Sequence, residues 1–181
     1  MANLSYGMQG SSYYDLARLG RVFVARAVVT APVIYTTAAG TGGPLLWNGS
    51  QTVNAVILGV GYGVTTVTSA SGALGITGSN GQTTAPTSTT AIDSVGNTRI
   101  GGPAPQCTTY RVGTVANAGS FLYPVIQLGT GALTTDYVEN SLVDIAGAIV
   151  VPPNCWASIA ATATATALVA QLSLIWAEIP L

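Results

Sequence analysis

Apolar and polar residues alternate most clearly near the C-terminal end of the chain. In the segment LVAQLSLIWAEI, the parity that runs from Leu168 to Trp176 is entirely apolar and ends in Glu178, whereas the other parity is mixed. Because successive side chains of a strand point to opposite faces, this alternation predicts a strand with one buried face. The preceding segment CWASIAA, which starts at Cys155, is predicted to be its hairpin partner, with TATATA as the connection.

Shorter segments with similar alternation recur along the chain and are separated by Gly, Asn, Ser and Thr. They predict an all-β protein, and many short strands between turns are typical of a sandwich, barrel or jelly roll. Turns are predicted at GTGGP (40–44) and at Asn48 and Gly49, and loops over roughly residues 69–98. The further predicted strands are residues 21–30, 33–37, 51–60, 62–69, 108–115, 121–128 and 144–151.

Two regions are distinguished along the chain. Residues 21–181 are predicted to form one domain, because neither a linker nor a repeat of fixed length is visible there. Residues 1–20 are polar and rich in Tyr, with weak helical periodicity only in SSYYDLARLG, and are predicted to be an extended N-terminal arm. Tyr and Met are enriched in interface cores and Arg pairs with carboxylates across interfaces, so this arm is a candidate for binding a partner. A terminus whose aromatic residues are merely scattered is the alternative. The candidate partner-binding residues are Tyr6, Met8, Tyr13, Tyr14 and Arg18.

The uncharged stretch between Asp144 and Glu178 raises the question of a membrane span, since about 20 apolar residues suffice for one. Pro152 and Pro153 interrupt this stretch, Thr at every second position favours a strand, and no Lys or Arg flanks it. We therefore expect strands here and no contact with a membrane.

The composition leaves little room for catalysis. The chain has five Arg, no Lys and no His, and its net charge is -1, which provides no field to attract nucleic acid. Without His or Lys, the commonest general base and Schiff-base chemistry are missing, and a serine triad is impossible. No pattern nominates a pair of carboxylates of the glycosidase type. We predict no catalytic, cofactor-binding or metal-binding residue, and a protein that is not an enzyme.

Other groups with possible chemistry have simpler interpretations. Cys107 and Cys155 are too few and too far apart for a zinc site, and two free thiols are expected rather than a disulfide, which stays possible. Asp136 and Glu139 are close enough in sequence to hold a divalent cation but are expected to be solvated loop charges. The segment VGYG (60–63) lacks the helices of a channel filter and the spacing of a dinucleotide-binding loop.

The scarcity of charge indicates an assembly. Charged residues make up 6% of the chain, whereas a typical soluble domain has about 25%. Neighbouring subunits that cover much of the surface would explain the difference, and a compositional bias of the source organism is the alternative. The N-terminus lacks the basic start and apolar stretch of a secretory signal, so folding in a cytoplasm is expected.

Three segments resemble small structural proteins of tailed-bacteriophage virions, including the jelly-roll head decoration, or cement, proteins: PLLWNGSQTVNAVILGVGYG (44–63), DIAGAIVVPPN (144–154) and LSLIWAEIPL (172–181). Where such proteins are expected to have Pro-Pro-Gly, this chain has Asn154, which also tolerates the left-handed region. The resemblance implies a homotrimer of jelly-roll sandwiches on the outer surface of the virion capsid. It also implies the major capsid protein as partner, and it carries over no catalytic residue and no cofactor.

Two other functions fit the same fold class. One is a receptor- or carbohydrate-binding jelly-roll module of a phage tail or fibre, because jelly rolls also host lectins. In that case Trp47, Trp156 and Trp176 would include an exposed platform for stacking on a sugar. The other is a capsid protein that itself forms the shell.

Overall fold

The chain folds as an all-β protein of two antiparallel sheets, which confirms the predicted fold class of a β-sandwich. A computed structural model describes residues 8–36, 40–66, 72–79, 81, 84–90, 92–128, 139–162 and 168–181. The helix α1 (Met8–Arg18) precedes the strands. The strands are β1 (Val22–Thr30), β2 (Gly40–Asn48), β3 (Val53–Thr66), β4 (Gly72–Ser79), β5 (Thr87–Thr90), β6 (Ser94–Asn97), β7 (Thr108–Thr114), β8 (Ser120–Leu128), β9 (Glu139–Val151), β10 (Cys155–Ala161) and β11 (Val169–Pro180).

The strands are divided between two sheets, and their pairing follows a regular order along the chain. Sheet A has the order β6-β1-β11-β3-β9, and sheet B has the order β5-β7-β2-β10-β4-β8. If β5, β6 and β7 are set aside, the first strand pairs with the last, the second with the next to last, and so on inward: β1 with β11, β2 with β10, β3 with β9 and β4 with β8. The strands β5, β6 and β7 extend the sheets at the edge opposite to β8 and β9.

The predicted hairpin between CWASIAA and the C-terminal strand is wrong. CWASIAA is β10, which lies between β2 and β4 in sheet B, whereas β11 lies between β1 and β3 in sheet A. The chain therefore passes from sheet B to sheet A between β10 and β11, and most of the predicted connection TATATA lies outside the described residues. Adjacency in sequence suggested a hairpin, but each of these strands finds its partners far along the chain. Neither is a helix, and within the described residues no helix is long and apolar enough to span a membrane.

The core lies between the sheets and confirms the predicted parity of β11. Leu168, Ala170, Leu172, Leu174 and Trp176 are all fully buried. Phe23 of β1 stacks on Trp176 with ring centroids 5.7 Å apart. Each large side chain buried in this way contributes about 1.5–3 kcal/mol relative to an exposed position, so the apolar row of β11 is a major source of stability.

On the outer face of sheet B, an aromatic ring packs directly against a glycine, where a side chain would leave no room for it. The predicted turn GTGGP is in fact part of β2, where a Cβ on Gly42 would lie 2.1 Å from the ring of Tyr35. Tyr35 is fully buried, and its single hydroxyl proton is shared between the carbonyl oxygens of Gly43, at 3.1 Å, and of Arg111. Residues 33–36, predicted as a strand, instead run without regular structure. Tyr35 also contacts Trp156 edge-to-face at 6.0 Å, so this segment covers the sheet with a third layer.

The predicted extended arm is also wrong for the residues that the structure describes, because Met8–Arg18 form a helix. The half-buried side chains of Tyr13, Leu16 and Ala17 pack on the outer face of sheet A. Their spacing of three and four residues gives one apolar stripe. Gly20, with φ 71°, ends the helix, and the N–H of Arg21 donates to the carbonyl of Leu16 at 2.9 Å, as in a Schellman motif.

The loops predicted over residues 69–98 contain the strands β4, β5 and β6. In β4 the small residues again make room for neighbours, since a Cβ on Gly75 would lie 2.3 Å from the ring of Phe121 in β8. The prediction of loops is wrong for these segments, because small residues, which are common in loops, here allow close packing between strands.

Candidate functional site

Of the predicted partner-binding residues, the structure describes the side chains of Tyr13, Tyr14 and Arg18. Tyr6 lies outside the described residues, and Met8 is the first residue of α1. Tyr13 is half-buried, whereas the side chain of Tyr14 is 67% exposed. Arg18 is exposed, and its Nε lies 3.7 Å from Oδ1 of Asp15 one turn earlier on the helix. Such an exposed ion pair contributes little to stability, and the role of Arg18 in binding a partner stays a prediction.

Tyr13 and Tyr14 are brought together at an apolar groove between α1 and the outer face of sheet A. This groove, called the α1 groove below, has a volume of about 470 Å³. Its lining is apolar apart from Thr98, Asp144 and the tyrosine hydroxyls. The apolar part of the lining consists of Tyr13, Tyr14, Ala17, Val22, Leu58, Gly59, Leu142 and Ile175.

Glycine keeps the floor of the α1 groove open. A Cβ on Gly59 would lie 3.2 Å from the carbonyl oxygen of Val143 and 3.5 Å from Cδ1 of Leu142. Gly59, the first glycine of the segment LGVGYG, thus leaves space on β3 beside Leu142 and Val143 of β9. Leu142 borders the groove with 65% of its surface exposed, so the apolar surface continues beyond the groove.

The carboxylate at the mouth of the α1 groove is held by a bulge in β9. Four residues of β9, from 145 to 148, lie opposite Leu58 of β3 alone, and Ala146 and Gly147 have φ values of 52° and 75°. The N–H of Ala146 donates to Oδ1 of Asp144 at 2.8 Å, and the hydroxyl of Tyr13 lies 3.4 Å from the same oxygen. Burial raises the pKa of Tyr13, and the Asp144 carboxylate raises it further.

A second apolar surface lies where both sheets end. The edge strands β8 and β9 carry Leu122, Tyr123 and Val150, which are exposed by 55%, 39% and 51%. We call these three residues the β8–β9 edge. Leu122 and Val150 line one cleft of about 350 Å³, so they form a continuous surface. Sequence reasoning did not nominate it, although Pro124 in β8 is a signal for an edge strand.

The acidic and thiol side chains that could be reactive, Glu178 and Cys107, are buried and contact each other's segments within the fold. Glu178 is 5% exposed and accepts hydrogen bonds from the N–H groups of Gln106, at 3.0 Å, and Cys107, at 2.9 Å. Burial raises the pKa of the Cys107 thiol, and the Glu178 carboxylate adds to this shift. Both cysteines are free, as predicted. Within the described residues, no group of three or more His, Cys, Asp or Glu side chains could hold a metal ion.

The arginines divide into two sets. Arg111 pairs with Asp93 at 2.7 Å, and Asp93 also accepts from the N–H of Val28, so that the pair joins β7 of sheet B to β1 of sheet A. Arg18 pairs with Asp15. The other set consists of Arg21, Arg26 and Arg99, which form no ion pair within the described part of the chain.

The tryptophans offer little to the sugar-binding alternative. Trp156 and Trp176 are fully buried. Trp47 is half-buried, and its ring lies so close to Gly49 that a Cβ there would be 2.5 Å away. Two of the three rings therefore have no face on which a sugar could stack.

The chain matches no protein-family model, no curated protein and no solved structure.

Proposed function

We propose that this chain is a non-enzymatic decoration, or cement, protein of a tailed-bacteriophage head. In this proposal it is a jelly-roll sandwich that binds the outer surface of the capsid as a homotrimer and bridges neighbouring subunits of the major capsid protein. The proposal starts from the resemblance of residues 44–63, 144–154 and 172–181 to structural proteins of such virions. The arrangement of strands and the character of the surface support it.

The order of strand pairing supports the jelly roll. A jelly roll has eight strands in two sheets, and it can be described as a long antiparallel ribbon wrapped around a barrel. Pairing of β1 with β11, β2 with β10, β3 with β9 and β4 with β8 is the pairing within such a ribbon. On this interpretation β5, β6 and β7 are an insertion between the fourth and fifth strands of the ribbon.

The observation that carries the proposed role is the β8–β9 edge. Leu122, Tyr123 and Val150 expose apolar surface on two strands that, within the described residues, have a neighbouring strand on one side only. Exposed apolar surface on edge strands marks a place of association. Pro124 and the register shifts of β8 interrupt the backbone edge, so side chains rather than an added strand would make the contact.

Such a contact would stabilise a shell by linkage. A protein that binds the assembled lattice and not its separate subunits shifts the equilibrium toward the lattice. Three linked copies would raise the avidity without requiring strong individual contacts. A small charge-poor domain with an apolar edge is suited to this task, because the task requires buried area and no reaction.

The test uses virions of the phage that encodes this chain. The chain is expected at a copy number stoichiometric with the major capsid protein, and particles that lack it should release DNA at a lower temperature. Purified protein should rebind to such particles. The variant Leu122→Asp with Val150→Asp should fail to rebind, whereas Gln171→Asp, on an exposed position of β11, should rebind normally. A few copies per virion, or normal rebinding of the double variant, would refute the proposal.

A further inference from the structure

The most exposed apolar side chain in the described chain is Ile100, at 99%. It is the second residue of a β-turn closed by a hydrogen bond of 2.8 Å from the N–H of Gly102 to the carbonyl of Arg99. Gly101 is the third residue of the turn, with φ 76°, which suits a type II turn. An aliphatic side chain at the tip of a turn contributes nothing to the fold of its own chain.

The base of this turn is fixed by Asn97. Its side-chain amide donates to the carbonyl of Gly20 at 2.7 Å and to that of Pro103 at 2.9 Å. Its Oδ1 accepts from the N–H of Arg99 at 2.9 Å. The turn is thus held in place before any partner arrives, which lowers the entropy lost on binding.

The α1 groove is complementary to this turn in polarity and in charge. It is an apolar depression of about 470 Å³ with one carboxylate, Asp144, at its mouth. The exposed turn has the opposite charge, because Arg99 precedes Ile100. Within the described residues Arg99 forms no ion pair and Asp144 has no cationic partner, although Tyr13 and Ala146 bond to its carboxylate. Ile100 does not fill the groove of its own chain, since it is almost completely exposed.

We propose that Ile100 of one copy inserts into the α1 groove of a second copy, where Arg99 pairs with Asp144 of that copy. The proposal names a contact for the self-association contained in the proposed function and does not require binding to a capsid. Thr98 lines the groove, so the turn and the groove are neighbours on each copy. Two copies that exchange turns and three copies that close a ring both satisfy the contact, and the measured mass gives the number.

The decisive experiment measures the mass of the purified full-length chain by sedimentation equilibrium at low salt. The wild type is expected to associate, and Ile100→Asp to raise the dissociation constant about 10- to 100-fold by removing one buried aliphatic contact. Arg99→Glu and Asp144→Arg should each weaken association. The double variant that carries both changes should recover most of it, because the charges are exchanged. Circular dichroism and thermal unfolding of each variant report whether it is folded, and Ile100→Asp and Arg99→Glu alter only exposed positions.

Leu122→Asp is the matched control, since it places the same charge on the β8–β9 edge instead of the turn. It should leave the mass unchanged. The inference is overturned if the wild type is monomeric, if Ile100→Asp retains the wild-type mass, if Leu122→Asp dissociates the protein equally, or if the charge exchange restores nothing. These outcomes leave the copy number in virions, which tests the proposed function, unaffected.

Discussion

The carboxylate of Glu178, near the end of β11, accepts a hydrogen bond of 2.9 Å from the backbone N–H of Cys107, just before β7. A second bond comes from the N–H of Gln106 at 3.0 Å, and Nε1 of Trp176 lies 3.4 Å from the same carboxylate. β11 belongs to sheet A and β7 to sheet B. One buried acid thus joins the two sheets at one end of the sandwich.

Glu178→Gln should lower the free energy of unfolding by about 2–3 kcal/mol. The amide oxygen can replace one acceptor, but the amide NH₂ would face a backbone N–H, and hydrogen bonds to a charged group are worth about 1.5–3 kcal/mol. Urea denaturation followed by tryptophan fluorescence measures the change. The control Gln171→Ala, at an exposed position of the same strand, should stay within about 0.5 kcal/mol of the wild type. Equal stability of the two variants would contradict this role of Glu178.

Alkaline pH should destabilise the protein through Cys107. Burial and the nearby Glu178 carboxylate raise the pKa of its thiol well above the ordinary 9.0. The unfolded chain therefore loses this proton first, and the stabilisation that is complete below pH 9 declines as the pH rises toward the folded pKa. The slope is about 1.4 kcal/mol per pH unit for one group. Cys107→Ala should reduce the slope of stability between pH 9 and 10, measured by urea denaturation across that range, and an unchanged slope would refute the assignment.

Gly42→Ala should destabilise the outer layer of sheet B. The new Cβ would lie 2.1 Å from the ring of Tyr35, a ring that is fully buried and hydrogen-bonded to Gly43 and Arg111. Overpacking of this kind costs about 1–3 kcal/mol or more. Gly96→Ala is the matched control, because nothing lies within 4 Å of a Cβ there. Thermal unfolding should show a lower Tm for Gly42→Ala alone, and equal melting of both variants would exclude the close contact.

The pattern of alternation predicted the class of fold because it reports burial directly. The apolar row from Leu168 to Trp176 faces the core as expected, since one parity of a strand faces one side of a sheet. Alternation says nothing of which strands are neighbours. β10 and β11 are consecutive in sequence yet lie in different sheets, because each has partners far along the chain.

The predictions of a turn at GTGGP and of an extended N-terminal arm are wrong for reasons that lie in a few residues of each segment. Glycine is a signal for a turn, but Gly42 makes room for the ring of Tyr35 within a strand. A single sequence does not distinguish these two uses of glycine. The helix α1 did have signals: Tyr13, Leu16 and Ala17 have helical spacing, and Gly20 is the residue at which a helix commonly ends.

Of the candidate site, the sequence predicted Tyr13 and Tyr14, which line the α1 groove. It did not predict the β8–β9 edge, since exposed Leu122 and Val150 belong to segments as apolar as those of the core. Whether an apolar strand is central or at an edge depends on long-range pairing. Pro124 was the local signal for an edge, because proline cannot donate a backbone hydrogen bond to a neighbouring strand.

Asn48→Asp should be one of the most damaging isosteric substitutions in the chain. Asn48 is fully buried, and its amide Nδ2 donates to the carbonyls of Val53, at 2.8 Å, and Val151, at 2.9 Å. It thereby ties β2 of sheet B to β3 and β9 of sheet A. A carboxylate of the same shape would face two carbonyl oxygens in a buried place, which costs about 3 kcal/mol or more.

The cost of Asn48→Asp arises from the charge of the buried carboxylate and not from a change of shape. A change of pH distinguishes these two causes. Burial without a cation raises the pKa of a carboxyl group, so the destabilisation by Asn48→Asp should become smaller as the pH falls toward 4 and the new side chain is protonated. Asn154→Asp, at an exposed position, is the control and should stay within about 0.5 kcal/mol of the wild type at neutral pH. Urea denaturation at both pH values measures each difference. A carboxylate that faces two buried carbonyl oxygens predicts a loss of unfolding free energy that protonation makes smaller. If this loss were the same at both pH values, or no larger than for Asn154→Asp, the Asn48 amide would not hold the two sheets together.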